Sequence, residues 1–388
     1  MNLTDYFLPL NFLNFSIFLF FFLTMDIIGF YLSSLLKFPR FLRTINWIFG
    51  LGIFVFVWFL LHLFLPLRQD YIAISLVLIL IPFLPHYIQS GGIGSLTKSF
   101  QKFPYPLIFL LFVIQKLFFL ISMPPYVNDE LAYHYLSPAE LLYKTSWDFS
   151  HNINFYYMLP KTLETSFNLM FALTNTYAVA RLLNFMIFLT SIIAVATFLK
   201  ERTNIIVAAC YSLFTLLLFT VPLIDSTRGY IDVAPAILSN LLLITSLGWL
   251  VLEEKGYLFS AFALIGLMMG IKYTILGFVA SIIIFSCTFL IIKKTSEIKQ
   301  YFNVQILRNQ IKSNLSTMLV MSFLMIIMGG YWYIKNYIIT GNPIYPFVFQ
   351  CKDNIPCGEK NNFFDNFGIQ FKIENLSKFI QVGETTLK

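Results

Sequence analysis

One stretch of the chain concentrates groups able to do chemistry: Pro124-Pro125-Tyr126-Val127-Asn128-Asp129-Glu130-Leu131-Ala132-Tyr133-His134-Tyr135-Leu136. Two prolines end one element and start another. A helix beginning near Asn128 would put Glu130 and His134 on one face, four positions apart, with Asp129 and Tyr133 on the next. Acid, imidazole and phenol then converge, and a carboxylate in such company is a candidate general base. The same residues also suit a plain helix start, with Asn128 as cap and Asp129 and Glu130 complementing the helix dipole. Glu130 and His134 could form half of a divalent-metal site, the only cofactor the residues suggest.

The composition says what kind of scaffold must hold these groups. Of 388 residues, 58% are hydrophobic and 12% charged, with a mean hydropathy of +0.76; soluble domains carry about 25% charged residues. Apolar runs long enough to cross a hydrocarbon core of roughly 30 Å as helices recur along the chain. Ten spans are predicted, at 11–36, 45–66, 71–90, 104–123, 178–199, 205–222, 232–252, 257–273, 275–292 and 315–338. The expected fold is an all-α, polytopic integral membrane bundle. The first run has no basic approach and no small-residue cleavage site, so it reads as a retained span. No internal repeat is visible. Of the four cysteines, only Cys351 and Cys357 are placed to bridge, and two free thiols fit equally well.

Lys and Arg in the short loops set the orientation. Alternate loops, starting after the first span, hold thirteen of them, from Lys37, Arg40 and Arg43 to Arg308 and Lys312, against six in the opposite loops up to Tyr337. The richer side is assigned to the cytoplasm. Both termini and the long segment 124–177 then lie outside. That segment is net acidic, with Asp129, Glu130, Glu140, Asp148 and Glu164 against Lys144 and Lys161. Its apolar piece Leu163–Leu173 is too short to span and is expected to lie at the outer interface. The net charge of +7, including the basic segment 293–313, is a topology signal beside anionic membrane lipid, not a nucleic-acid footprint.

On this topology Arg181, Asp225, Arg228, Asp232, Lys272, Lys335 and Asn336 fall at the outer ends of spans, the same side as Asp129 and Glu130. Ionisable groups near a membrane are costly and are functional candidates, though long basic side chains at helix ends also snorkel. Together they suit an anionic lipid phosphate held by cations while a carboxylate works on a transferred group. Asp26 and Lys116, within spans and away from the cluster, read as structural.

These motifs resemble those of the GT-C membrane glycosyltransferases, specifically bacterial relatives of protein mannosyltransferases and aminoarabinose transferases (glycosyltransferase 39-like). Four runs over about 104–350 carry the likeness: Asn128 to His134; Tyr230-Ile231-Asp232-Val233-Ala234; Gly270-Ile271-Lys272-Tyr273-Thr274; and Trp332-Tyr333-Ile334-Lys335-Asn336-Tyr337 with Thr340-Gly341-Asn342-Pro343-Ile344-Tyr345-Pro346. The resemblance implies inverting transfer of a sugar from a polyprenyl-phosphate-linked donor to a glycan, lipid or protein acceptor, outside a plasma membrane. Asp129, with Glu130 beside it, occupies the family's catalytic place. Lys272, Arg228, Lys335 and Arg181 are the implied cations for the donor phosphate. His134, Tyr133, Glu164 and Asp232 are expected on substrate, as are Tyr273, Asn336 and Tyr345.

The likeness divides the chain into a three-span extension (1–103), a GT-C-like core (104–350) and a polar outer tail (351–388). Many relatives add further spans after the point where this chain stops, so a compact member and a truncated product both fit. The alternative is a transporter or flippase for a lipid-linked or anionic solute. Transporters place polar groups near the midplane of repeated, broken helices, whereas here they gather at one face.

Overall fold

The computed structural model of the chain describes residues 11–65, 68–92, 94, 115, 134, 158–218, 227–228, 230–293 and 304–345. Among them the regular structure is helical throughout, with no strand. In order these are α1 (Phe12–Leu35), a 3₁₀ turn (Arg40–Ile45), α2 (Asn46–His62), α3 (Gln69–Gln89), α4 (Thr162–Thr174), α5 (Ala178–Arg202) and α6 (Ile205–Leu218). After them come α7 (Val233–Leu252), α8 (Lys255–Ile271), α9 (Ile275–Lys293), α10 (Val304–Met325), a π-helical turn (Ile326–Gly330) and α11 (Tyr331–Thr340).

Among the described residues, six helical stretches are long and apolar enough to cross a membrane: Phe12–Leu35, Arg40–His62, Gln69–Gln89, Ala178–Arg202, Val233–Leu252 and Asn314–Thr340. The apolar helices Lys255–Ile271 and Ile275–Leu290 are shorter. The expected span 104–123 lies outside the described residues apart from Gln115, so the count of ten is not reached among them. Local signals explain several ends. The Asn11 side chain caps α1 by accepting from the Asn14 N–H at 2.8 Å. Lys37, Asn175 and Glu253 take left-handed backbone at the ends of α1, α4 and α7, with φ near 55–59°.

The chain divides into two compact units, Met1–Phe149 with Leu159–Trp332, and Ser150–Met158 with Tyr333–Lys388. Each is described by itself. In the larger unit, apolar burial of helix on helix gains little if the surroundings are lipid, so close approach must do the work. A Cβ on Gly29 of α1 would lie 1.7 Å from the Asn46 carbonyl oxygen, and one on Gly50 of α2 would lie 1.8 Å from that of Met25. Backbone therefore meets backbone. Trp47, Trp58, Phe21, Phe49 and Phe54 fill the space around this crossing, and the Trp47 indole N–H donates to Thr190 Oγ1 of α5 at 3.2 Å. Asp26 is buried on α1 and hydrogen-bonded by the Tyr87 hydroxyl of α3, in keeping with a structural role. Leu78 and Ile81 on α3, Ile284 on α9, and Leu319 and Phe323 on α10 point outward and are exposed, an apolar exterior suited to lipid.

Two expectations change. The helix expected at the outer interface is α4, and none of its residues is exposed; it packs against α1, α2, α3, α5 and α8. A helix lying on an interface needs a polar face toward water, and α4 is instead enclosed by its neighbours. The basic segment 293–313, expected as a loop, is already helical from Val304.

The unit has two distinct ends. At one, Gly256 lies against the Lys37 carbonyl, Phe41 packs on Phe198 and Tyr257, and Arg202 donates to the Tyr257 hydroxyl at 3.4 Å. This brings together the loops bearing Lys37, Arg40, Arg43, Lys200, Arg202 and Lys255. Since α5 ends there and α8 begins there, Arg181, Asn184, Gly270 and Lys272, near their opposite ends, belong to the other.

Candidate functional site

The far end of the larger unit is built on α4. Its start is fixed by Thr162, whose Oγ1 accepts from the Trp332 indole N–H at 3.0 Å and lies 3.5 Å from the Tyr331 hydroxyl. Gly270 of α8 admits this contact, because a Cβ there would stand 2.4 Å from Thr162 Oγ1 and 2.7 Å from Gly329 Cα. Lys161, the residue before α4, and Glu164 in its first turn are both buried. Burial pulls the Lys161 ammonium below its ordinary pKa, and the nearby Glu164 charge opposes that shift.

Glu164 faces an imidazole. His134 Nδ1 lies 3.4 Å from Glu164 Oε1, within ion-pair range, and both side chains are shut off from solvent. The His134 ring is 6.0 Å from that of Tyr230. Tyr230 is in turn tied to α5, where Asn184 Nδ2 donates to the Arg228 carbonyl at 2.9 Å and the Tyr230 carbonyl at 2.8 Å. Arg181, three residues before Asn184 and so on the same side of α5, is 4% exposed. Two residues past Tyr230, Asp232 forms an ion pair with Lys272 at the end of α8. That pair is open to the surroundings, with side chains 51% and 31% exposed.

The structure thus links His134, Glu164, the Arg228 backbone, Asp232 and Lys272 through neighbouring elements of one unit, with Arg181 on the same side of α5 as Asn184. Tyr273 follows Lys272 and is half-buried. Lys272, expected to be a ready cation for phosphate, is already partnered by Asp232, so an incoming anion must share or displace that carboxylate. Asp129, Glu130, Tyr133 and Asp225 lie outside the described residues.

Lys335, Asn336 and Tyr345 belong to the second unit. There Asn336 is fully buried, and its amide donates to the Met158 carbonyl at 2.7 Å and the Pro343 carbonyl at 3.5 Å. Thr340 Oγ1 donates to the Asn336 and Asn342 carbonyls and accepts from the Asn342 N–H. The Asn336 amide, expected on substrate, is committed to holding the Thr340-Gly341-Asn342-Pro343 turn. Lys335 and Tyr345 are buried, and burial pushes the Tyr345 hydroxyl pKa up.

Sequence reasoning passed over Lys161, counted only as a loop lysine, and Asn184. The available signal was the Lys161-Thr162-Leu163-Glu164 run, which sets opposite charges three apart at a helix start. Among the described residues no three His, Cys, Asp or Glu side chains gather as metal ligands, and Glu130, the expected partner of His134, lies beyond them. No protein-family model matches the chain, and neither the curated proteins nor the solved structures yield a match.

Proposed function

We propose that the chain is an inverting, multi-pass membrane glycosyltransferase that moves a sugar from a polyprenyl-phosphate donor to a glycan, lipid or protein acceptor on the outer face. Asp129 serves as general base on the acceptor, with Glu130 beside it. Lys272 and Arg228 neutralise the charge that develops on the departing phosphate, the larger electrostatic task of such a reaction. The resemblance of four motifs supports this reading. One arrangement supports it further: Glu164 of α4 faces His134, and Asp232 before α7 pairs with Lys272 after α8, at the end of the larger unit away from the loops bearing Lys37, Arg202 and Lys255. Ionisable groups buried in an apolar bundle are expensive and call for a use.

A transporter is less well supported. The broken helix at Ile326–Gly330 packs closely against the Gly266 and Gly270 backbone, whereas transporters bind their solute at such interruptions.

The test is release of polyprenyl phosphate from a defined polyprenyl-phosphate sugar by the purified chain in lipid nanodiscs. Lys272→Ala should raise the donor KM about tenfold or more, the loss of one charge-assisted contact. Unchanged donor kinetics would remove Lys272 from the phosphate site. For orientation, a cysteine at Ser137, in a chain otherwise cleared of cysteine, should react with an impermeant thiol reagent added to intact cells. Labelling only after permeabilisation would reverse the topology.

A further inference from the structure

Asp232 stands immediately before α7, where an aspartate ordinarily turns its side chain back to accept from the free N–H groups of the first helical turn. Here it makes no such capping bond, and the carboxylate instead accepts from the Lys272 ammonium at the end of α8. The pair is not needed to hold these two helices together. They pack on each other directly, and toward their other ends a Cβ on Gly248 would stand 2.3 Å from the Tyr257 ring. An open ion pair adds little to stability in any case. The approach to Asp232 is fixed as well, since Asn184 of α5 donates to the Arg228 and Tyr230 carbonyls. The acid is thus held beside a cation that the transferase reading gives to the donor phosphate.

We propose that Asp232 is a specificity-determining residue of the phosphate seat: its carboxylate competes with the lipid phosphate for the Lys272 ammonium, so that the seat loses more affinity for a doubly charged phosphomonoester than for a singly charged phosphodiester. This inference rests on the transferase reading, in which the diester is the donor and the monoester the product. During transfer the acceptor oxygen bonds to the anomeric carbon and gives its proton to the general base. The bond from that carbon to the phosphate oxygen breaks, and its electron pair stays on the phosphate. The donor phosphate carries one negative charge, whereas a monoester carries about −1.5 to −2 at pH 7. Cations alone would hold the product more firmly than the donor and delay its departure. A fixed carboxylate works against that bias, because its repulsion grows with the charge it meets.

The test compares equilibrium binding of polyprenyl phosphate and of its methyl ester, a phosphodiester with one charge and no sugar to transfer, by the full chain in nanodiscs. Asp232→Asn should tighten the Kd for the methyl ester about threefold and that for polyprenyl phosphate about tenfold, since twice the charge doubles the free-energy change and squares the factor. Asp232→Glu, which keeps the charge, should retain most of the wild-type difference between the two lipids. Asp232→Ser suits a helix start, should match Asp232→Asn, and stands in for it if that variant does not fold. In turnover, inhibition by added polyprenyl phosphate should strengthen about tenfold in Asp232→Asn.

Equal factors for the two lipids overturn the proposal, because charge would then not be what Asp232 reads. So does unchanged or weaker binding of either lipid, which would leave Asp232 as a contact between helices or with substrate. The binding constants need no turnover: if they shift as expected in a chain whose wild type transfers no sugar, the phosphate seat stands and the transferase reading falls alone. Transfer by a chain whose Asp232→Asn form shows no shift sinks this inference and leaves that reading intact.

Discussion

Asp129→Asn is expected to abolish sugar transfer while the protein remains folded and membrane-inserted. Asparagine matches aspartate in size and keeps its hydrogen-bonding reach, yet it cannot take a proton from an acceptor hydroxyl. Removing a general base costs about 10² to 10⁴ in rate, which would put the variant at the background of most product-release assays. The donor KM should stay within a few fold of wild type, because the phosphate is assigned to Lys272 and Arg228. Elution as a single species and labelling of the Ser137 cysteine from outside would show that the variant still folds and inserts. Near-normal turnover would remove Asp129 from the catalytic role and with it the centre of the proposed mechanism.

Gly270→Val is expected to prevent the larger unit from assembling. The first added carbon would meet Thr162 Oγ1 at 2.4 Å and Gly329 Cα at 2.7 Å. A flexible side chain can move away, but the Gly329 backbone lies in the π turn and itself faces the Gly266 carbonyl and Gly270. Overpacking in a close-packed interior costs about 1–3 kcal/mol and more where backbone must shift. Here it would also pull Thr162 off the Trp332 indole and so misplace Lys161 and Glu164. The measure is the yield of monodisperse protein and its thermal unfolding in mild detergent. Gly277→Ala is the control, since a Cβ at Gly277 meets nothing within 4 Å and alanine favours the helix of α9. Equal stability of Gly270→Val and Gly277→Ala would show that the α8 contact is not needed.

The helices were legible because hydrocarbon thickness and helix rise leave little freedom. The run expected at 11–36 is Phe12–Leu35, and that at 232–252 is Val233–Leu252. Loop charges were legible for a related reason: Lys37, Arg202 and Lys255 were assigned to one side by counting, and their loops meet at one end of the unit. The depth of α4 was not legible. Leu163 to Leu173 is apolar and too short to span, which suits a helix lying at an interface, and only its five neighbours show that both faces are covered. The site was half legible for the same reason. Asp232 and Lys272 were each visible as charges at span ends, but their pairing joins positions forty residues apart. Asn336 looked like a polar group free for substrate, because nothing in its own motif reveals that the Met158 carbonyl is its partner.

Six glycines, at 29, 50, 256, 266, 270 and 329, each stand where a Cβ would fall within 3 Å of another segment's backbone. The exposed apolar positions such as Leu78, Ile81 and Phe323 have no comparable demand, and Leu, Ile, Val and Phe can replace one another there at little cost. Evolutionary drift acting on such a chain has two speeds. Its exterior can turn over almost completely within the apolar alphabet while the glycine contacts hold still, so descendants of one ancestor would share a pattern of fixed small residues long after their overall sequences had ceased to look alike.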